Sequence, residues 1–349
     1  MGSVKDLMIL KPTQADQPGI ARFIFSNRYS VFDWGEMPDH LENKGSAIAL
    51  LSAYFFELLE KRGIPNHYLG MVEEGKVKRL KDLKNPSNVM EIKLLRVLKP
   101  EFKGDHYDYS IYQRERGNYL IPLEVIYRNS LPPGSSVFKR LESGQITLKD
   151  LGLEHPLESN QKLKKPIYDV STKLETTDRY LSWKEAQTIS GLNEKEIVQL
   201  KRMAEDVNHL ITSEFSKLDL VNEDGKIEAG LDQERQLILA DVVGTLDECR
   251  FSYETLPVSK ELIRIYYRNT RWFQAVEQAK KKDLQNWKSQ CELKPNPLPT
   301  NLKILIEQIY CACTNEITQR EWFKNVPPLK SLLKEAKEIY LLLNKTVES

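Results

Sequence analysis

Polar and apolar positions alternate through Asp224-Gly-Lys-Ile-Glu-Ala-Gly230, which puts Asp224, Lys226 and Glu228 on one face of an extended segment. The apolar run Leu237-Ile-Leu-Ala240 predicts a neighbouring buried strand that ends in Asp241. Elsewhere the three-and-four spacing of helices takes over. Ala47, Leu50, Leu51, Tyr54, Phe55, Leu58 and Leu59 mark a core helix over 45–62, stopped by Gly63. Ile197, Leu200, Met203, Val207, Leu210 and Ile211 mark a longer one behind the cap Asn193, and Ser182 with Glu185 reads as a capping box for a short helix before it. Strands are expected in 21–25, 67–72, 89–98 and 119–127, with the polar stretch 100–118 as an excursion, so that a first lobe is built on an antiparallel sheet. After Arg250 the helical spacing returns near 260–289, 300–321 and 328–344, divided by the proline-bearing stretches 294–299 and 325–328.

A chain of 349 residues exceeds the usual single core, so two lobes or a domain with a large appendage is expected, with room for a cleft. Apolar content of 40%, charged content of 29% and a net charge of +1 lack the basic excess of a nucleic-acid binder and favour small-molecule partners. Cys249, Cys291, Cys311 and Cys313 form neither a CxxC pair nor a zinc-ligand spacing, which fits a reducing cytoplasm. There is no apolar run of membrane-spanning length and no signal-peptide core, so no membrane is expected.

Candidate chemistry concentrates in three places. Glu228 and Asp241, carboxylates from adjacent strands beside Lys226, suit a Mg²⁺ ion that bridges nucleotide phosphates. The competing reading is that Asn222-Glu-Asp-Gly225 is a hairpin turn, with Lys226 and Glu228 an exposed cross-strand pair. Arg128, Ser135, Ser136, Lys139 and Arg140 surround a Pro-Gly turn and suit an anionic phosphate, against the alternative of a solvated basic loop. At the N-terminus, Gly2 and Lys5 precede an apolar run that reads as a strand able to lie over phosphates. His209, beside a helical stripe, reads as a packing or surface histidine.

Several of these stretches resemble, in order, the SAICAR synthetase (phosphoribosylaminoimidazole-succinocarboxamide synthase) family. They are Gly2-Ser-Val-Lys-Asp-Leu, the segment 26–33 with Asn43-Lys-Gly45, Ile121-Pro-Leu-Glu-Val-Ile-Tyr-Arg-Asn129 with Gly134, Ser135, Lys139 and Arg140, Ser171-Thr-Lys173 with Asp178, and Asp224-x-Lys-x-Glu-x-Gly230. Ser3, Thr177, Ala229 and Val242 depart from the family pattern, where lysine, histidine, an aromatic residue and glutamate are usual. The resemblance implies a two-lobed α+β fold: an antiparallel N-terminal sheet lobe over 1–120, a mixed α/β lobe over 121–270 with ATP in the cleft between them, and C-terminal helices over 271–349.

The resemblance also implies an activity, the ATP-dependent joining of L-aspartate to carboxyaminoimidazole ribonucleotide (CAIR) through an acyl phosphate, with ATP and Mg²⁺ as cofactors. In that reading Gly2, Lys5 and Lys173 lie on the nucleotide phosphates, Lys226 on the reacting carboxylate or transferred phosphoryl group, and Glu228 and Asp241 on the metal. Arg128, Ser135 and Arg250 hold the ribonucleotide's phosphate, and Asp224 meets the nucleotide ribose or a substrate amine. Neither arginine has an obvious acidic partner in sequence. The rivals are another ATP-dependent ligase or kinase on this fold, and a catalytically lapsed nucleotide-binding relative. The stripes of the tail, Ile304, Ile306, Ile309, Leu332, Leu333, Ile339 and Leu342, are expected to bury against the second lobe or a second subunit, which makes a homo-oligomer one expected assembly.

Overall fold

The computed structural model describes residues 4–156, 158, 161–258, 260–284 and 286–345. Strands β1 (Lys5–Lys11), β2 (Gly19–Phe25), β3 (Tyr68–Glu73), β4 (Lys76–Lys78) and β5 (Val89–Leu94) form one sheet in the order β1-β2-β5-β3-β4, antiparallel at every pairing. Helix α1 (Lys44–Lys61) packs on β2, β3 and β5 and buries Ala47, Leu50, Leu51 and Phe55, the stripe its spacing predicts. The polar excursion holds a small hairpin, β6 (Glu101–Lys103) with β7 (His106–Asp108), and a short helix, α2 (Ser110–Arg114). Most of that hairpin is exposed, so no apolar alternation marks it in the sequence.

The second sheet contains β8 (Tyr119–Ser130), β9 (Lys162–Thr172), β10 (Tyr180–Leu181), β11 (Leu220–Leu231), β12 (Leu237–Ala240), β13 (Cys249–Tyr253) and β14 (Leu256–Pro257). Its order is β10-β9-β8-β11-β13-β14, with β12 also paired to β11, and every pairing is antiparallel. Asn222–Gly225 therefore lies inside β11, and the hairpin-turn reading is corrected. The glycine serves packing, because a Cβ on Gly225 would stand 2.2 Å from Tyr127 Oη and 2.9 Å from Cys249 Sγ.

Between β8 and β9 lies α3 (Ser136–Glu142), and between β10 and β11 lie α4 (Trp183–Ser190) and α5 (Glu194–Ser216). Asn193 and Glu196 form the capping box of α5, whose apolar stripe packs on β11 and β8 and leaves His209 exposed. Only half of the box expected at α4 forms: Ser182 accepts from Glu185 N at 3.1 Å, while the Glu185 carboxylate turns to Arg179 at 2.6 Å.

The remaining helices are α6 (Lys260–Arg268), α7 (Arg271–Lys282), α8 (Trp287–Gln290), α9 (Thr300–Thr318) and α10 (Leu329–Lys345). The tail folds back on the first sheet's helix, since α9 packs against α1 and α10 covers α9, α6 and β14. Leu332, Leu333, Ile306 and Ile309 are buried as expected, but Ile304 and Leu342 are 46% and 66% exposed. The stripe of α9 runs through Leu302, Leu305, Ile306, Ile309 and Ile317, which turns Ile304 to the opposite face. Leu333→Ala should cost about 2–5 kcal/mol of stability, because its side chain is fully enclosed and truncation leaves a cavity behind; urea unfolding reads this directly. Among the described residues no helix is long and apolar enough to cross a membrane.

Candidate active site

Register brings the first group of side chains together. Glu228 on β11 stands opposite Glu124 on β8 and Ala240 on β12. Asp241, one residue past β12, is turned by a left-handed backbone of φ 62°, a conformation aspartate tolerates better than most residues. Facing carboxylates would repel, so cations are interposed. Lys173 follows β9 and reaches Glu228 at 2.5 Å and Glu124 at 3.5 Å. Lys226 lies 2.8 Å from Glu124, 3.7 Å from Glu228 and 3.6 Å from Glu248. Lys5, at the start of β1, closes the group at 2.8 Å from Asp241.

Four carboxylates thus share three lysines. Burial lowers Lys5 and Lys173 first, yet the surrounding carboxylates outweigh it and hold both above the ordinary lysine range, as they do Lys226. Burial raises Asp241, but Lys5 and Lys173 overcome it and keep the carboxyl near 2. Glu228 goes the other way, because burial and then the charge of Asp241 push it well above the usual carboxylate range. A carboxylate pair short of positive charge, beside lysines, suits a hard cation that takes its other oxygens from water and phosphate. No group of three or more His, Cys, Asp or Glu side chains placed to hold a metal ion occurs among the described residues. Val242, at the position where the family pattern has glutamate, is buried in the core.

The second group lines an adjoining cleft of about 540 Å³. Alternation along β8 puts Glu124, Ile126 and Arg128 on its wall, and Glu124, Lys226 and Glu248 belong to both groups. Arg128 donates to Asp169 at 3.1 Å, to Ser135 at 3.5 Å, and to Ser136 and Tyr180 at 3.2 Å each. Arg250 grips both oxygens of Asp224, with Nε at 2.8 Å, and Asp224 also lies 3.6 Å from Arg128. The expectation that the two arginines lack acidic partners is therefore corrected. Cross-strand register supplies Asp224 opposite both of them. Asp169 is shared with Arg140 at 2.8 Å. Asp224, 5% exposed and held by guanidinium groups, orients the arginines. Lys260, Arg264 and Arg268 add further cationic groups to the cleft, beside Glu261.

Supports from distant segments hold these loops. His67, buried and kept neutral with its pKa near 4, donates from Nε2 to the carbonyl of Asp241 at 2.9 Å. Gly244 has φ +69°, and a Cβ there would meet the Phe55 ring at 2.3 Å. Gly244→Ala should therefore both destabilise the chain and lower turnover, as read by thermal unfolding beside an activity assay. On the far wall Lys280 of α7 donates to Phe32 O and Asp33 Oδ2 at 3.1 Å each, and Phe273 packs on Phe32 with ring centres 4.5 Å apart.

The structure thus gathers Lys5, Lys173, Lys226, Glu228 and Asp241 in one cluster, and Arg128, Asp224 and Arg250 in the cleft beside it; Ser135 is buried behind the cleft wall, against Arg128, and Gly2 and Ser3 lie outside the described residues. Sequence reasoning passed over Glu124, Glu248, Asp169 and His67. Glu124 carried a signal, for it stands two positions from Ile126 and four from Arg128 on one face of β8.

A sequence profile of the SAICAR synthetase family matches residues 2–285. A chain of Archaeoglobus fulgidus, provisionally named phosphoribosylaminoimidazole-succinocarboxamide synthase, is 51% identical over 339 residues, covering 97% of this chain and 99% of that one. The phosphoribosylaminoimidazole-succinocarboxamide synthase of Thermoplasma acidophilum is 31% identical over 328 residues, covering 92% and 98%. Among solved structures, a SAICAR synthetase in complex with ADP superposes with a TM-score of 0.55 at 22% identity, over 85% of this chain and 99% of that one. The SAICAR synthase of Saccharomyces cerevisiae, complexed with SAICAR, gives 0.61 at 21% identity over 92% and 94%. The chain belongs to the SAICAR synthetase family of ATP-dependent ligases in purine biosynthesis.

Proposed function

We propose that this enzyme joins L-aspartate to CAIR, yielding SAICAR, ADP and phosphate through an acyl phosphate. The observation that carries the reading is the position of Lys226, which touches the carboxylate cluster at Glu124 and also lines the arginine-walled cleft. An oxygen of the CAIR carboxylate attacks the γ-phosphorus of ATP, the bond to the bridging oxygen breaks, and ADP leaves. The aspartate amine then attacks the acyl carbon, phosphate leaves with its oxygen, and the amine gives up a proton to water or the departing phosphate. Such a transfer needs positioning and charge neutralisation more than an enzyme nucleophile.

Lys5 and Lys173 neutralise the nucleotide phosphates, and Lys226 directs the CAIR carboxylate towards them. Glu228 and Asp241 are the carboxylates that would hold Mg²⁺, whose charge would offset the polyphosphate. Arg128, Ser135 and Arg250 bind the ribonucleotide's phosphate, with Asp169 and Asp224 fixing the guanidinium planes. The four free thiols support a cytoplasmic setting. Heavy-oxygen label placed in the CAIR carboxylate tests the route, since an acyl phosphate carries one labelled oxygen into the released phosphate. Unlabelled phosphate from turnover in unlabelled water would rule it out.

A further inference from the structure

Helix α9 touches a residue of the cleft lining, Asp247, through one hydroxyl that the reaction above does not use. Asp247 lies in the turn 246–248 that leads into β13, beside Glu248 and shortly before Arg250, and its side chain is 1% exposed. Its Oδ2 accepts from Lys44 Nζ at 2.6 Å, and its Oδ1 accepts from Tyr310 Oη at 2.6 Å. Lys260 Nζ stands 3.9 Å away. Lys44, fully buried at the start of α1, also donates to the carbonyl of Arg28 at 3.3 Å and lies 5.6 Å from the Tyr310 ring centre. Tyr310 is held in turn by the frame of α9, since Thr314 Oγ1 donates to Ala47 O of α1 at 3.1 Å. Burial raises the Asp247 carboxyl, but Lys260 and Lys44 outweigh it and hold it near 2, while burial lowers the Lys44 ammonium despite the charge of Asp247.

A buried ion pair has a defined geometry only when its remaining lone pairs are satisfied, and Tyr310 supplies the bond that stops the Asp247 carboxylate from turning. We propose that Tyr310 is a positioning residue for the ribonucleotide: through Asp247 its hydroxyl sets the turn that presents Glu248 and Arg250 to the cleft. The inference rests on the reading of Arg250 as a phosphate ligand. It assigns the C-terminal helix a part in substrate binding, although no residue of α9 lines the cleft.

The test is Tyr310→Phe in the full chain, which removes the hydroxyl and keeps the ring over Lys44. The KM for CAIR should rise about tenfold while the KM for ATP stays within about twofold. Thr314→Val, which loosens α9 from α1 without touching Asp247, should lower the Tm and leave the KM for CAIR unchanged. A Tyr310→Phe enzyme with a lower Tm and both KM values unchanged, or with both raised alike, would overturn the proposal and leave Tyr310 a structural contact. If Tyr310→Phe yields too little folded protein, the same KM comparison on Asp247→Asn decides. Arg250→Lys separates the two levels of the reading. If it leaves the KM for CAIR unchanged, the phosphate assignment itself falls; if it raises that KM and Tyr310→Phe does not, only the positioning role falls.

Discussion

Asp241→Asn should give an enzyme that folds like the parent and turns over about 100- to 1,000-fold more slowly, the scale set by removing a charge-stabilising group from a site of developing charge. Folding is spared because asparagine also tolerates the left-handed backbone at this position, and because the lost ion pair with Lys5 is partly solvent-exposed. Catalysis is not spared, because the carboxamide carries no charge for Mg²⁺. Near-parental activity of Asp241→Asn at limiting magnesium would remove the residue from the site.

Glu228→Gln makes the companion case with the opposite sign in stability. A carboxyl raised by burial and by Asp241 contributes stability that is whole below its unfolded value and is lost as pH rises through the folded one. The glutamine variant should therefore flatten that decline between mildly acid and mildly alkaline pH while it abolishes turnover. A parental pH profile of Tm in Glu228→Gln would show that the pair with Asp241 carries no such tension.

The second large effect is in substrate choice. Arg128→Lys should raise the KM for CAIR substantially and change the KM for ATP little. Lysine keeps the charge but cannot span Asp169, Ser135, Ser136 and Tyr180 and still offer a flat edge to phosphate. The dephosphorylated nucleoside should be a very poor substrate for the parent enzyme. Steady-state kinetics with each substrate varied in turn reads the difference. Equal effects on both KM values, or efficient use of the nucleoside, would move the ribonucleotide's phosphate away from this arginine.

How much of this was legible in the sequence follows from which interactions are local. The stripe of α1 and the pairing of β11 with β12 were readable because burial imposes a period on neighbouring residues, and the strand end at Asp241 followed from it. Asn222–Gly225 misled because Gly225 is required by Tyr127 and Cys249 on the two flanking strands, and those neighbours are set by long-range register. The partners of Arg128 and Arg250 were hidden for the same reason. The tail was legible as helices but not as a support, since the grip of Lys280 on the Phe32–Asp33 loop and of Tyr310 on Asp247 depends on how separate elements pack. The family's ordered motifs supplied what periodicity could not, the identity of the reaction.

Release of ADP, measured with ATP, CAIR and L-aspartate together and with each omitted in turn, tests the central claim most directly. Full release is expected only when all three are present, with SAICAR formed in step with ADP. ADP release that ignores aspartate, or nucleotide binding without any release, would contradict the account and assign the chain to a kinase or to a lapsed relative.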